Sequence, residues 1–150
     1  MSPPLMRIVK TRLDQMQREI SCDVIIDAPP GVSCPAVNAV MDSDFILLVT
    51  EPTPFGLFDL KLAHEAFSAV NIPMGVVINR TGLGDSGVEN FCRDQELAVL
   101  ARIPYHRDIA RAYSQGRIIA DSADWTKNIF IDLAGVLRQR VLADQEAEHV

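Results

Sequence analysis

The spacing of apolar residues along this chain changes repeatedly, and each change marks an element. Over residues 5–20, Leu5, Ile8, Val9, Leu13, Met16 and Ile20 recur every three or four positions, as on one face of an α-helix. Residues 23–26 run apolar without alternation after their aspartate, which predicts a strand covered on both faces. Residues 35–41 read as a short helix, and 45–49 (FILLV) as a second buried strand. Pro52 and Pro54 then break the chain. The helical period returns over 56–70: Leu60, Ala63, Phe67 and Val70 share one face, with Asp59, Lys61, Glu65 and Ser68 elsewhere. Residues 74–78 (MGVVI) predict a third strand. A loop over 81–87 leads into a helix near Ser86, a weaker strand covers 98–103, and helices follow over 106–115 and 125–142.

Strands that look central alternate with helices throughout. That order predicts an α/β fold: a three-layer α/β/α arrangement around a mostly parallel sheet, with right-handed crossovers. In such sheets ligands sit beyond the carboxyl ends of the strands. Those ends carry Asp27, Thr50, Glu51, Asn79, Arg80, Pro104 and Tyr105. With 150 residues the chain suits one domain, residues 1–150. It opens on a leading helix within residues 1–21 and closes on an acidic tail, residues 143–150, expected to fray.

Composition narrows the function classes. The formal net charge of −6 argues against a nucleic-acid surface, which needs a basic patch. No apolar run approaches the roughly 20 residues of a membrane span. The last helix has Arg138 and Arg140 but an acidic end, not the basic face of a membrane-anchoring helix. The first residues lack the apolar core of a signal peptide. Cys22, Cys34 and Cys92 form no CxxC pair, so neither structural zinc nor a disulfide framework is expected. A reducing cytoplasm is the simplest compartment.

The chemistry-bearing stretch is CDVIIDAPPGVSCPAV, residues 22–37. A carboxylate at the tip of a buried strand faces a cleft, and Mg²⁺, which keeps most of its waters, is often held by one or two carboxylates plus phosphate oxygens. Asp27 suits that role through a water. Gly31, without a Cβ, lets backbone pass close to a phosphate. The same residues are equally consistent with a strand-to-helix turn whose aspartate caps the next helix.

Taken together, DVIIDAPPGVSCPAV, DFILLVTEPTPFGLFDLKLA, MGVVINR and IPYHRDIARAYSQG resemble the MinD/ParA group of P-loop ATPases. The resemblance is nearest to the MinD-superfamily branch with an inserted ferredoxin domain, and it runs from about Cys22 to Trp125. It implies that Asp27 is the magnesium-side aspartate and Gly31 the phosphate-sensing glycine. It also implies that Asn79 hydrogen-bonds adenine with Arg80 beside it, and that Pro104 and Tyr105 pack against the base. Residues 53–60 would lie near a dimer or partner face. A side-chain amide both donates and accepts, so it can pair with a purine edge. No carboxylate follows Asn79-Arg80-Thr81-Gly82 at the guanine-selecting position, which favours adenine. The alternative for Asn79 is a turn-forming asparagine after a strand.

The departure from that family is large. None of the 8 glycines lies in a phosphate-loop motif with its lysine and hydroxyl. Met1 is therefore expected to open a fragment or a split gene product, truncated on its N-terminal side. ATP and Mg²⁺ are expected only in the full-length protein, with the missing P-loop half as partner and a homodimer as the assembly. No cofactor is expected in this chain alone, and any iron–sulfur cluster belongs to the upstream ferredoxin insert. The chain alone is expected to be inactive as an ATPase. Two other functions compete. One is a fragment of an ATP-dependent amidotransferase or ligase of the cobyrinic acid a,c-diamide synthase type, which would need a glutaminase domain. The other is a docking module without ATP chemistry, using the stretch from Pro52 to Leu60.

Several features read as decoys. Gly82-x-Gly84-x-x-Gly87 formally matches a dinucleotide fingerprint, but three residues separate it from the apolar run and no acid ends the next strand. Cys34-Pro35 lacks the companion cysteines of a cluster motif. His64, His106 and His149 show no ligand spacing, and His64 is expected on an exposed helix face. Trp125 is expected to close the core.

Overall fold

The computed structural model describes residues 3–20 and 22–147. Three strands, β1 (Ile46–Thr50), β2 (Met74–Thr81) and β3 (Ala98–Pro104), form one sheet in the order β1-β2-β3. Both pairings are parallel, with Leu48 beside Val76 and Asn79 beside Ile103. The helices are α1 (Pro3–Glu19), α2 (Cys34–Val40), α3 (Pro54–Ser68), α4 (Gly87–Asp94), α5 (Arg107–Ser114) and α6 (Asp124–Ala147), with a 3₁₀ turn at Ile119–Asp121. This is the α/β arrangement that the alternating pattern predicts.

One face of the sheet carries the core. Ile46, Leu48, Val76 and Ile78 pack there with Ala36 of α2, Leu60 and Phe67 of α3, and Val88 and Cys92 of α4. On the other face α6 packs against β3, while Phe45 and Leu100 close over Gly75. Val77 is buried on that side, but Val49 at the end of β1 is 65% exposed.

Helix starts follow local chemistry. Thr53 caps α3, its hydroxyl accepting from the Gly56 N–H at 3.0 Å, and Pro54 takes the first turn, where a missing N–H costs nothing. The helix therefore starts two residues before the periodic stretch does. Gly56 is forced by contact: a Cβ there would lie 2.2 Å from the Glu51 carbonyl oxygen. At the start of α6 the buried Thr126 hydroxyl donates to the Ala123 carbonyl at 2.6 Å and accepts from its N–H at 3.2 Å. The same helix runs past its expected end at Leu142 to Ala147, and the last three residues of the acidic tail lie outside the described residues.

Two expectations need correction. Residues 23–26 form no strand: the segment 22–29 is irregular and Ile25 is 95% exposed. An apolar run becomes a strand only when a neighbour satisfies its backbone, and no described strand lies beside it. Asp23 ties the segment to α6, its carboxylate accepting from Arg138 at 2.7 Å. His64 is half-buried, not exposed, because its ring packs edge-on to Phe91 of α4 at 5.8 Å. Helix α1 forms as expected but packs on α2, with Lys10 reaching the Met41 carbonyl and the Asp42 carboxylate, so Ile8, Val9, Met16 and Ile20 stay exposed.

The cysteines divide by burial. Cys22 and Cys34 are exposed, and Cys92 is buried in the core. Burial raises the Cys92 thiol above the ordinary value, with the Glu89 carboxylate adding to it and Arg102 opposing. A thiol-reactive chromophore should therefore titrate two thiols at once and the third only on unfolding. The raised value also has a sign. The stability it contributes is complete below the ordinary thiol pKa and is lost as pH rises through the folded one. Urea melts across alkaline pH should show a shallower decline for Cys92→Ala than for the parent chain.

Candidate nucleotide-facing rim

The parallel ladder delivers β1, β2 and β3 to a common carboxyl-end rim. Thr50 ends β1 with Glu51 after it, Asn79, Arg80 and Thr81 end β2, and Pro104 ends β3 with Tyr105 after it. The ladder extends past Pro104, where the Tyr105 N–H donates to the Thr81 carbonyl at 2.9 Å. Between Asn79 and Thr81 the register shifts, and Arg80 takes the left-handed φ of +54°. Arg80 is thus the extra residue of a bulge, a device that re-aims side chains at the end of a strand.

That bulge sets the asparagine. Half-buried Asn79 accepts the Arg80 N–H on Oδ1 at 3.0 Å, which fixes its amide plane. The carbonyl oxygen has a second lone pair, and the Nδ2 amine has no protein partner among the described residues, so the group can still accept one bond and donate two. On the neighbouring strand end, Pro104 is half-buried and Tyr105 is 55% exposed. A donor–acceptor amide beside a proline and an open aromatic face suits a flat heteroaromatic base.

Arg80 turns the other way. Its guanidinium meets the Glu51 carboxylate through two contacts at 3.4 Å, tying the tips of β1 and β2. The pair is exposed, so it contributes at most about 1 kcal/mol. Glu51 as the partner of Arg80 is a pairing that spacing alone does not show, although both stand at strand ends.

The glycine loop after β2 packs locally. Gly82 and Gly84 adopt φ of +93° and +83°, and a Cβ on Gly84 would lie 1.6 Å from the Pro52 carbonyl oxygen. At Gly87 it would meet Asp85 Oδ1 at 2.9 Å and Leu57 at 3.1 Å. Close approach of the loops after β1 and β2 accounts for Gly84, and contact with Asp85 and α3 for Gly87, whereas Gly82 has open space and is accounted for by its left-handed φ. Past Tyr105, His106 caps α5, its Nδ1 accepting from the Asp108 N–H at 3.2 Å, and its ring stands edge-on to half-buried Trp125 at 5.2 Å.

Of the residues expected at the site, Asn79, Arg80, Pro104 and Tyr105 share this rim. Asp27 and Gly31 belong to the irregular segment and the bend before α2. Asp27 is exposed with no hydrogen bond or ion pair among the described residues, and Gly31 has φ +81° with open space where a Cβ would be. The rim residues would suit a flat heteroaromatic base, and Asp27 and Gly31 as placed form no cradle for its phosphates. No group of three or more His, Cys, Asp or Glu among the described residues could hold a metal, and none of the helices there is long and apolar enough to cross a membrane.

Solved structures resemble this architecture closely. The MinD cell division protein of Aquifex aeolicus superposes on 89% of this chain and 61% of its own, with a TM-score of 0.74 at 19% identity. The fold is that of the MinD ATPases. The Pyrococcus furiosus cell division ATPase MinD matches over 75% of this chain and 50% of its own, at a TM-score of 0.61 and 24% identity. Pyrococcus horikoshii MinD, a complex with Mg-ADP, matches over 74% and 48% at a TM-score of 0.61 and 22% identity. By sequence, an uncharacterized protein of Methanocaldococcus jannaschii is 36% identical over 98 residues, 64% of this chain and 33% of its own. An uncharacterized ATP-binding protein of that organism is 32% identical over 92 residues, 59% and 35%. The chain thus spans about a third of the curated relatives and about half or more of the MinD structures it matches. No family model matches it.

Proposed function

We propose that this chain is the base-binding part of a MinD/ParA-like ATPase, taking up adenine nucleotide and Mg²⁺ only together with a P-loop half. The observation that carries this reading is the rim itself, where the Asn79 amide keeps unused donors beside Pro104 and the open ring of Tyr105. The MinD-like fold supports it. Asn79 would pair with the adenine edge, Pro104 and Tyr105 would flank the base, and Asp27 would meet Mg²⁺ through a water once its segment is held. Bound Mg²⁺ would supply charge neutralisation at the phosphates. Homodimerisation and coupling to iron–sulfur or redox work rest on the resemblance to the ferredoxin-bearing branch.

The test is a calorimetric titration. The chain alone should show no tight, Mg²⁺-dependent ATP binding, and a micromolar dissociation constant would refute this. Joined to the P-loop half, it should bind ATP, and Asn79→Ala should weaken that binding about tenfold or more. An unchanged affinity would remove Asn79 from the site. Glutamine-dependent ammonia release by the full-length protein would favour the ligase alternative.

One observation favours a docking role. Phe55 and Phe58 in the first turns of α3 are 84% and 60% exposed, and contiguous apolar surface marks contact sites. If docking without ATP chemistry is the whole function, the assembled protein should tolerate Asn79→Ala and lose its partner with Phe55→Ser.

A further inference from the structure

The open ring of Tyr105 has no hydrogen-bond or ring partner among the described residues. Its place at the rim is therefore set by the backbone on either side. On one side β2 holds it, through the bond from the Tyr105 N–H to the Thr81 carbonyl. On the other side the holder is His106. That residue is extended, with φ −138° and ψ 140°, and caps α5. Its Nδ1 accepts from the Asp108 N–H at 3.2 Å, so the proton of the neutral ring sits on Nε2. The Asp108 carboxylate lies 3.4 Å from the same Nδ1. The ring also meets Trp125 edge-on, at 5.2 Å and 70° between planes. Trp125 stands in the first turn of α6, beside Thr126, whose buried hydroxyl is bonded to Ala123. One side chain therefore joins the loop after β3 to the starts of two helices. The residue type fits that double task. Ser, Thr, Asp and Asn are the usual caps, and each offers an acceptor only. An imidazole offers the acceptor and a ring large enough to reach a second aromatic.

We propose that His106 is the positioning residue of the base platform: by tying the Tyr105 loop to α5 and α6, it holds Tyr105 where a nucleotide base stacks. The inference rests on the function proposed above for the identity of the ligand. His106 acts through Tyr105 and contacts no reacting atom. Its loss is felt by the base and not by the phosphates, because Tyr105 serves only the ring of the ligand. Either tie supplies part of the effect. Asparagine at this position keeps the cap and loses the ring, and phenylalanine does the reverse.

The test compares two ligands, ATP and inorganic tripolyphosphate, titrated calorimetrically into the chain joined to the P-loop half. His106→Ala should weaken ATP about tenfold and leave tripolyphosphate within about twofold. His106→Asn or His106→Phe should recover at least about threefold of that loss. His106 is exposed, so these variants should stay folded, and His106→Phe carries the comparison if the alanine variant does not. The chain has a single tryptophan, so its emission reports the ring contact without any ligand. That emission should change in His106→Ala and stay unchanged in Arg117→Ala. Equal weakening of ATP and tripolyphosphate makes His106 merely structural and overturns the proposal. So does recovery by neither replacement, or tryptophan emission that His106→Ala leaves as it was. An assembled parent that binds ATP, with an affinity that His106→Ala does not alter, overturns this proposal alone. A parent that binds tripolyphosphate but gains nothing from the base of ATP sinks the nucleotide reading, and this proposal with it.

Discussion

Gly84→Ala should be the most damaging small substitution in this chain, costing about 3 kcal/mol and lowering the melting temperature by roughly 6–12 °C. Two penalties combine. The position has φ +83°, where an L side chain is strained, and the new methyl would lie 1.6 Å from the Pro52 carbonyl oxygen. The obstructing atom is backbone, so relief requires the loop after β1 or the loop after β2 to move. Two controls separate the causes. Gly116→Ala has φ +66° and open space, and should show only the conformational cost of about 1 kcal/mol. Gly135→Ala, inside α6 with nothing nearby, should stabilise by about 0.5–1 kcal/mol. Chemical denaturation of the three variants gives the answer. A Gly84→Ala chain no weaker than Gly116→Ala would mean that the two loops do not touch as described.

The second large effect concerns activity. In the assembled protein, Asp27→Asn should lower ATP hydrolysis by about 10²–10³-fold, the scale for losing one charge-stabilising group in a reaction. The proposed role acts through a water on Mg²⁺, so ADP binding should be nearly unaffected. Stability should also hold, because Asp27 is exposed and makes no hydrogen bond or ion pair among the described residues, and such surface changes stay within about 0.5 kcal/mol. Hydrolysis rate, ADP affinity and urea midpoint measured on one variant test all three. Unimpaired hydrolysis would return Asp27 to the status of a turn residue.

The strands that pair were legible because their apolar runs are long enough and their breakers fall close to the ends. FILLV and MGVVI became β1 and β2 within a residue at their starts. The end of β2 was less legible, since Asn79, Arg80 and Thr81 are polar and the ladder continues through a bulge that composition does not announce. The run at 23–26 shows the limit of pattern reading. Hydrophobicity reports a demand for burial, whereas strand formation also needs a neighbour, and sequence pattern carries no record of neighbours. His64 failed similarly, because its partner Phe91 comes from a different helix. At the rim, strand-end placement of Asn79, Arg80, Pro104 and Tyr105 followed from topology, but the pairing of Arg80 with Glu51 depends on a left-handed residue outside the rules of periodicity.

The closure of Arg80 onto Glu51 has an electrostatic consequence. A guanidinium already matched by a carboxylate projects little field, and the chain as a whole carries a formal charge of −6. A polyanion drifting toward these strand tips therefore meets net repulsion at long range. Under the function proposed above, the attraction would come from cationic groups outside residues 1–150, while the rim residues would discriminate only at contact, between one ring system and another.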